Sequence, residues 1–173
     1  MPTKKRMHPG RQHFTFLFFF LLFHWVAVLQ AQDIDQAFLF ARQQFASANY
    51  LQASAGFQRV LFFDNGTYRG EAFHYLGDCF FEIHEYENAS RYYDLAFFSE
   101  KNDSLKTELI FRKTSSLLLS KRFNDGIAEL LNIEDDAPGF FQKKRNFYLG
   151  IAYFGLNETE KAEECFLKCI GSN

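Results

Sequence analysis

The sequence predicts an all-α protein in which helical hairpins stack into a solenoid. Helix breakers are scarce, since the 173 residues include 3 prolines and 10 glycines, and charged residues are spread evenly after residue 32. Apolar residues recur at the i, i+3, i+4 and i+7 spacing that places side chains on one helix face. Small and aromatic residues also return at a fixed long period, which is typical of stacked helical repeats.

The N-terminal segment differs from the rest of the chain. An apolar run of sixteen residues, Phe14 to Leu29, follows a basic head and ends before the small residue Ala31. The basic residues of the head are Lys4, Lys5, Arg6 and Arg11. This pattern predicts a signal peptide over residues 1–31, cleaved near Ala31. A membrane anchor is the alternative, although a span needs about 20 apolar residues and this run contains His24.

Both interpretations give the same orientation, because basic flanks stay on the cytoplasmic side of a membrane. We therefore expect the chain after residue 32 to be exported, to a periplasmic or extracellular location. Contact with a membrane is expected only through an uncleaved N-terminal segment.

Three columns of residues carry the long period. The first column is Ala53, Ala89, Gly126 and Ala162, with separations of 36, 37 and 36 residues. The same separations recur four residues later, in Phe57, Tyr93, Leu130 and Phe166. They recur again twelve residues before the first column, in Ala41, Gly77, Thr114 and Gly150. The period predicts a repeat domain over residues 34–173, with units at about 34–67, 70–103, 107–140 and 143–173.

The motifs of units two and four resemble the tetratricopeptide repeat (TPR). Unit two reads Phe73-x2-Leu76-Gly77-x2-Phe80 and then Ala89-x3-Tyr93-x2-Ala96. Unit four reads Leu149-Gly150-x2-Tyr153 and then Ala162-x3-Phe166-x2-Cys169. The resemblance covers residues 34 to 173. Units one and three depart from the pattern, with Ala41 and Thr114 in place of the first glycine and Gly126 in place of the alanine. The proline that often ends the family's repeat is present in unit three alone, as Pro138.

Eight helices follow from this register. They are expected at 34–47, 50–63, 70–84, 87–99, 105–120, 124–133, 142–155 and 159–170, with Asn124 and Asn157 as cap or turn residues. Two helices of a hairpin need a residue without bulk where they cross closely, and Gly77 and Ala89 supply it in unit two. The full predicted set of repeat-packing residues is Gly77, Ala89, Tyr93, Gly150, Ala162 and Phe166.

Charge and motifs argue against several functions. Without the N-terminal segment, 15 basic and 21 acidic residues leave a net charge of −6, which disfavours nucleic-acid binding. No nucleophile, zinc or phosphate-loop motif is present, and His74 and His84 lack the spacing of a metal site. We therefore predict no enzyme activity, no cofactor and no metal. The three cysteines, Cys79, Cys165 and Cys169, are interpreted as small buried residues rather than a disulfide.

The resemblance to TPR proteins implies a partner-binding groove lined by the first helix of each unit. The expected groove residues are Phe38, Arg42, Phe45, His74, Tyr75, Asp78, Phe81, Phe111, Arg112, Ser115, Leu118, Phe147, Tyr148, Ile151 and Phe154. The alternative for the aromatic residues among them is ordinary core between helices. A carboxylate clamp of Lys and Asn, as in chaperone-tail receptors of the family, is absent, and only Arg112 fits it.

The sequence therefore predicts a non-catalytic, exported protein–protein interaction module that binds a peptide or helix in a concave aromatic groove. The alternative is a structural or assembly subunit, or an N-terminal fragment of a larger TPR protein. That alternative rests on the last helix, whose apolar face of Ala162, Phe166, Cys169 and Ile170 has no following unit to cover it. A homo-oligomer through this helix is its expected consequence.

Overall fold

The computed structural model describes residues 33–64, 66–134 and 137–171. The predicted signal peptide lies outside these residues, as do Asn65, Asp135 and Asp136, which fall between predicted helices. Within the described residues the chain forms eight helices and no strand. The predicted all-α class is therefore confirmed.

The helices match the predicted register. Helix α1 covers residues 33–46. The others are α2 Tyr50–Phe63, α3 Arg69–Glu82, α4 Tyr86–Ser99, α5 Asp103–Leu119, α6 Phe123–Leu131, α7 Gly139–Gly155 and α8 Thr159–Gly171. Asn124 is not a cap, because α6 already begins at Phe123 and Arg122 precedes it. Asn157 lies in the turn between α7 and α8, as predicted.

Consecutive helices pack against each other along the whole described array. Contacts join α2 to α3, α3 to α4, and so on to α7 and α8, and α5 also touches α7. Phe38 and Ala41 of α1 share a core with Ala53 and Phe57 of α2. The odd-numbered helices thus form one layer and the even-numbered helices the other, which is the arrangement of a solenoid of helical hairpins.

The four turns inside the hairpins are built alike. Each contains one residue with a left-handed backbone, and these residues are Ala48 (φ 58°), His84 (64°), Lys121 (62°) and Asn157 (62°). The next residue in each turn donates its N–H to the carbonyl five residues earlier, as Glu85 does to Phe80 at 2.8 Å. This is the Schellman ending of a helix. The four left-handed residues repeat the 36, 37 and 36 separations, so the backbone itself carries the period.

The connectors between hairpins are irregular by comparison. In the first, the Asp64 carboxylate accepts N–H bonds from Gly66 at 2.9 Å and Thr67 at 3.0 Å. In the second, the Asn102 side chain accepts from the Leu105 N–H at 3.1 Å and caps α5. The hairpin turns lie at one edge of the solenoid, here called the turn edge. The connectors lie at the opposite edge, here called the connector edge.

The predicted packing residues lie inside the hairpins. Ala89, Tyr93 and Ala162 are buried, and Phe166 is half-buried. A Cβ atom on Gly77 would stand 2.5 Å from the Tyr93 ring, and one on Gly150 would stand 2.5 Å from the Phe166 ring. Each glycine therefore makes room for an aromatic ring of the second helix, rather than for its backbone.

The last helix exposes less apolar surface than the sequence indicated. Ala162 is buried, and Phe166 packs against Gly150 inside its own hairpin. Cys165 joins the core cluster of units three and four. The exposed large apolar residues of α8 are Leu167 and Ile170. Assembly through this helix stays a prediction that now rests on these two side chains.

The three cysteines are free. Cys79 is completely buried, and burial raises the pKa of its thiol to about 12. The described helices include none with the length and apolar content that a bilayer span requires.

Candidate functional site

A depression of about 490 Å³ opens on the face formed by the first helices of units one to three. Helices α1, α3 and α5 contribute to it, together with one residue of α4. Its lining residues are Phe45, Asp78, Phe81, Glu82, Tyr93, Glu108, Arg112 and Ser115. We call it the concave depression. Five of the predicted groove residues, Phe45, Asp78, Phe81, Arg112 and Ser115, are thus brought together.

An ion pair between units two and three forms the base of the depression. The Arg112 Nη1 atom donates to the Asp78 Oδ1 atom at 2.6 Å, and the Tyr93 hydroxyl donates to the same oxygen at 2.8 Å. The Asp78 side chain is only 16% exposed. Burial lowers the pKa of Arg112, but the Asp78 carboxylate offsets this effect and the net pKa is raised. Arg112 therefore stays cationic.

Burial also raises the pKa of Tyr93 well above its usual range, and the neighbouring Asp78 carboxylate adds to the rise. The phenol therefore remains protonated and keeps donating its hydrogen bond to Asp78. This bond joins the core of hairpin two to the base of the depression.

A second set of contacts joins units three and four. Lys144 Nζ lies 2.7 Å from Glu108 Oε2, and the Ser115 hydroxyl donates to the Tyr148 hydroxyl at 2.9 Å. Glu108 also lies 3.8 Å from the Arg112 Nε atom. The first helices α3, α5 and α7 are thus linked by polar contacts from one unit to the next, which fixes the shape of the concave face.

His74 borders this network without a hydrogen bond. Its Nε2 atom lies 3.7 Å from Asp78 Oδ2 and has no hydrogen-bond partner among the described residues. Burial lowers the pKa of the imidazole, against the opposing effect of Asp78, so the ring is neutral at pH 7. The described lining of the depression contains the acidic residues Asp78, Glu82 and Glu108 and the basic residue Arg112, while Lys144 reaches Glu108 from outside the lining. The formal charge of the lining is therefore negative.

The aromatic residues of the predicted groove divide into two groups. Phe38 and Phe111 are 3% and 1% exposed, so their rings belong to the core and are not available to a partner. For these two residues the prediction of a groove position is corrected. Their rings lie between the helix layers, where Phe38 stacks on Tyr68 of the first connector with centroids 4.3 Å apart and Phe111 stacks on Tyr148 of α7 at 5.7 Å.

The second group stays accessible. The Tyr75 ring stacks on Phe57 at 4.8 Å, and its other surroundings include Phe45 at 5.2 Å and the exposed guanidinium of Arg42 at 5.8 Å. In unit four, Phe147 is 47% and Phe154 67% exposed, while Tyr148 and Ile151 are half-buried. Leu118, a non-aromatic residue that was also expected in the groove, is instead buried against Gly126, so its predicted position is corrected too. The concave face is therefore ionic at its base, with aromatic residues around it.

The groove residues predicted from the sequence do not include Glu82, Glu108 or Lys144. A signal for one pair was present, since Glu108 and Lys144 are opposite charges 36 residues apart, which is one repeat. Asp78 and Arg112, at 34 residues apart, follow the same rule approximately. Among the described residues there is no group of three or more His, Cys, Asp or Glu side chains that could hold a metal ion.

No protein-family model matches the chain, and no curated protein is significantly similar to it. The class of the protein is therefore given by its fold, which is an array of helical hairpins compatible with a TPR-like solenoid.

Proposed function

We propose that this protein is an exported, non-catalytic interaction module of the TPR type, which binds a peptide or helix of a partner protein in the concave depression. The observation that carries the proposal is the depression itself, formed by three successive units. Export rests on the basic head and apolar run of the N-terminal sequence. The TPR assignment rests on the motifs of units two and four.

The base of the depression is suited to binding because it is already ordered. Asp78 is held by Arg112 and Tyr93 at 2.6 and 2.8 Å, so a partner would not need to order these side chains. Preorganisation of this kind reduces the entropic cost of association.

The chemistry of the lining indicates the kind of partner. Asp78 and Glu108 have cationic partners within the protein, whereas Glu82 is exposed and no ion pair involves it within the described residues. Phe81, its neighbour, is half-buried in the same lining. A partner segment with a Lys or Arg beside an apolar side chain would pair with Glu82 and cover Phe81. Such combined contacts are typical of interface hot spots.

The proposal can be tested by selecting random peptides from a display library against the full-length chain and measuring the affinity of enriched peptides. We expect enriched sequences to share a Lys or Arg next to an apolar residue. The double variant Phe81→Ala/Glu82→Gln should weaken their binding at least tenfold, which corresponds to about 1.4 kcal/mol.

Glu87→Gln is the matched control, because Glu87 is exposed on α4 outside the depression. It should leave binding unchanged. Alanine at Tyr75 or Arg112 is a poorer test, since both side chains also hold the fold together. Absence of any enriched motif, or equal binding by the double variant, would refute the proposal.

A further inference from the structure

Exposed apolar side chains are concentrated at the connector edge. Seven large apolar residues within three positions of a helix end at this edge are exposed in the described structure: Phe62 (81%), Phe63 (59%), Phe98 (76%), Leu105 (51%), Leu131 (64%), Phe140 (68%) and Ile170 (78%). The corresponding positions at the turn edge of the described structure contain three exposed large apolar residues, Leu51, Leu119 and Phe154. Scattered exposed apolar residues are normal, but a patch along one edge marks an interaction surface.

The rings at this edge have little contact with the core. Phe62 packs on Phe63, with ring centroids 4.9 Å apart, and Phe98 packs on Phe97 at 5.6 Å. Phe62 and Phe98 are 36 residues apart, so they hold the same position in units one and two. The same position of the repeat therefore carries an exposed phenylalanine in both unit one and unit two.

The chain enters the repeat domain at this same edge. Helix α1 begins its described part at residue 33, and Asp35 accepts a hydrogen bond from the hydroxyl of Tyr68, a residue of the first connector, at 2.7 Å. The apolar run Phe14 to Leu29 ends four residues before residue 33. Whatever holds that run must therefore lie close to the connector edge, because four residues extend at most about 14 Å.

We propose that the apolar run stays in the chain as a membrane anchor, which is the alternative to a cleaved signal peptide, and that the connector edge rests on the surface of the same lipid bilayer, with its phenylalanine rings at the lipid–water interface. The apolar run is the part of the chain that a bilayer accepts, and it leads directly to this edge. Exposed charges of both signs alternate there, with Asp33, Asp103 and Glu134 beside Arg69 and Lys101. The described residues of this edge thus form no basic patch that would select anionic lipids, and apolar burial is the source of binding.

Tryptophan placed at the two edges tests the proposal in the full-length chain. Trp25 is the single tryptophan of the sequence, so Trp25→Phe gives a silent background. Phe98→Trp then reports on the connector edge, and Phe154→Trp is the matched control at the turn edge, since both side chains are exposed. The probe is a phosphatidylcholine vesicle whose acyl chains carry bromine, which quenches nearby tryptophan.

We expect Phe98→Trp to shift its emission to the blue and to lose intensity with brominated lipid, whereas Phe154→Trp does neither. Phe62→Trp should behave as Phe98→Trp does. If one of the two variants misfolds, the other still tests the connector edge. Equal quenching at both edges, or none at Phe98→Trp, would overturn the proposal. A blue shift that grows with protein concentration, without quenching, would also overturn it and assign the edge to a second copy of the chain.

Discussion

Units two and four solve the problem of close helix packing differently from units one and three. In units two and four, a glycine on the first helix makes room for an aromatic ring of the second, as Gly77 does for Tyr93 and Gly150 for Phe166. In unit one the glycine is on the second helix, where a Cβ on Gly56 would stand 2.8 Å from Ala41 Cβ and 3.3 Å from Ala41 Cα.

Unit three follows unit one in placing the glycine on the second helix. A Cβ on Gly126 would stand 2.9 Å from the Leu118 Cδ2 atom, and the first helix carries Thr114, completely buried, at the usual glycine position. The column of small residues Ala53, Ala89, Gly126 and Ala162 is kept in every unit, whereas the position of the glycine differs between units. A family pattern that fixes the position of the glycine will therefore fit units two and four better than the others.

The largest effect is expected from Ala89→Leu in unit two. Ala89 is 0% exposed, so three added carbon atoms must displace the first helix of its hairpin. Overpacking of this kind should lower the free energy of unfolding by about 3 kcal/mol, the upper end of its usual range. Urea denaturation followed by circular dichroism measures it.

Arg91→Leu is the control, because Arg91 is exposed on the same helix. It should change stability by less than about 0.5 kcal/mol. If both variants lose the same stability, Ala89 does not lie at the crossing of the two helices.

A smaller effect should separate unit two from unit three. Gly77→Ala places a methyl group against the Tyr93 ring, which its hydrogen bond to Asp78 holds in position. Gly126→Ala meets the end of a flexible leucine side chain instead. We expect the overpacking in Gly77→Ala, about 1–3 kcal/mol, to outweigh the gain of about 1 kcal/mol in helix propensity, so that the variant is destabilised by up to about 2 kcal/mol.

In Gly126→Ala, the close contact with Leu118 should cost little net stability, because alanine favours the helix by about 1 kcal/mol over glycine. Thermal unfolding of the two variants in the same buffer gives the comparison. A Gly77→Ala protein as stable as Gly126→Ala would mean that the Tyr93 ring moves aside without cost.

Most of the fold could be predicted from the sequence, because the columns through Ala89, Tyr93 and Gly77 report packing that every hairpin needs. The Schellman turns could not be predicted in detail. Ala48 and Lys121 carry no preference for a left-handed backbone, so their conformation is imposed by the packed helices on either side. His84 and Asn157 belong to residue types that are enriched in this conformation, and of these two the sequence indicated Asn157 as a turn residue.

The candidate site was less accessible to sequence reasoning. The columns placed Asp78 and Arg112 on one face, but they could not separate core from surface. Phe38 and Phe111 occupy the same column as His74 and Phe147, yet the first two are buried and Phe147 is 47% exposed. Which member of a column reaches solvent depends on the curvature between units, and curvature comes from packing of several residues at once.

The smallest effect concerns the turns of units three and four. Lys121 adopts φ 62° although its side chain is exposed and forms no hydrogen bond or ion pair within the described structure. A left-handed conformation costs a residue with a Cβ about 1–2 kcal/mol, and glycine avoids this cost. Glycine also makes the unfolded chain more flexible, which removes about half of the gain. Lys121→Gly should therefore stabilise the protein by about 0.5–1 kcal/mol.

Asn157→Gly at φ 62° should gain less, because asparagine tolerates this conformation better than lysine. Chemical denaturation measures the free energy of unfolding of both variants. If Asn157→Gly gains as much stability as Lys121→Gly, the two turns do not differ in backbone strain.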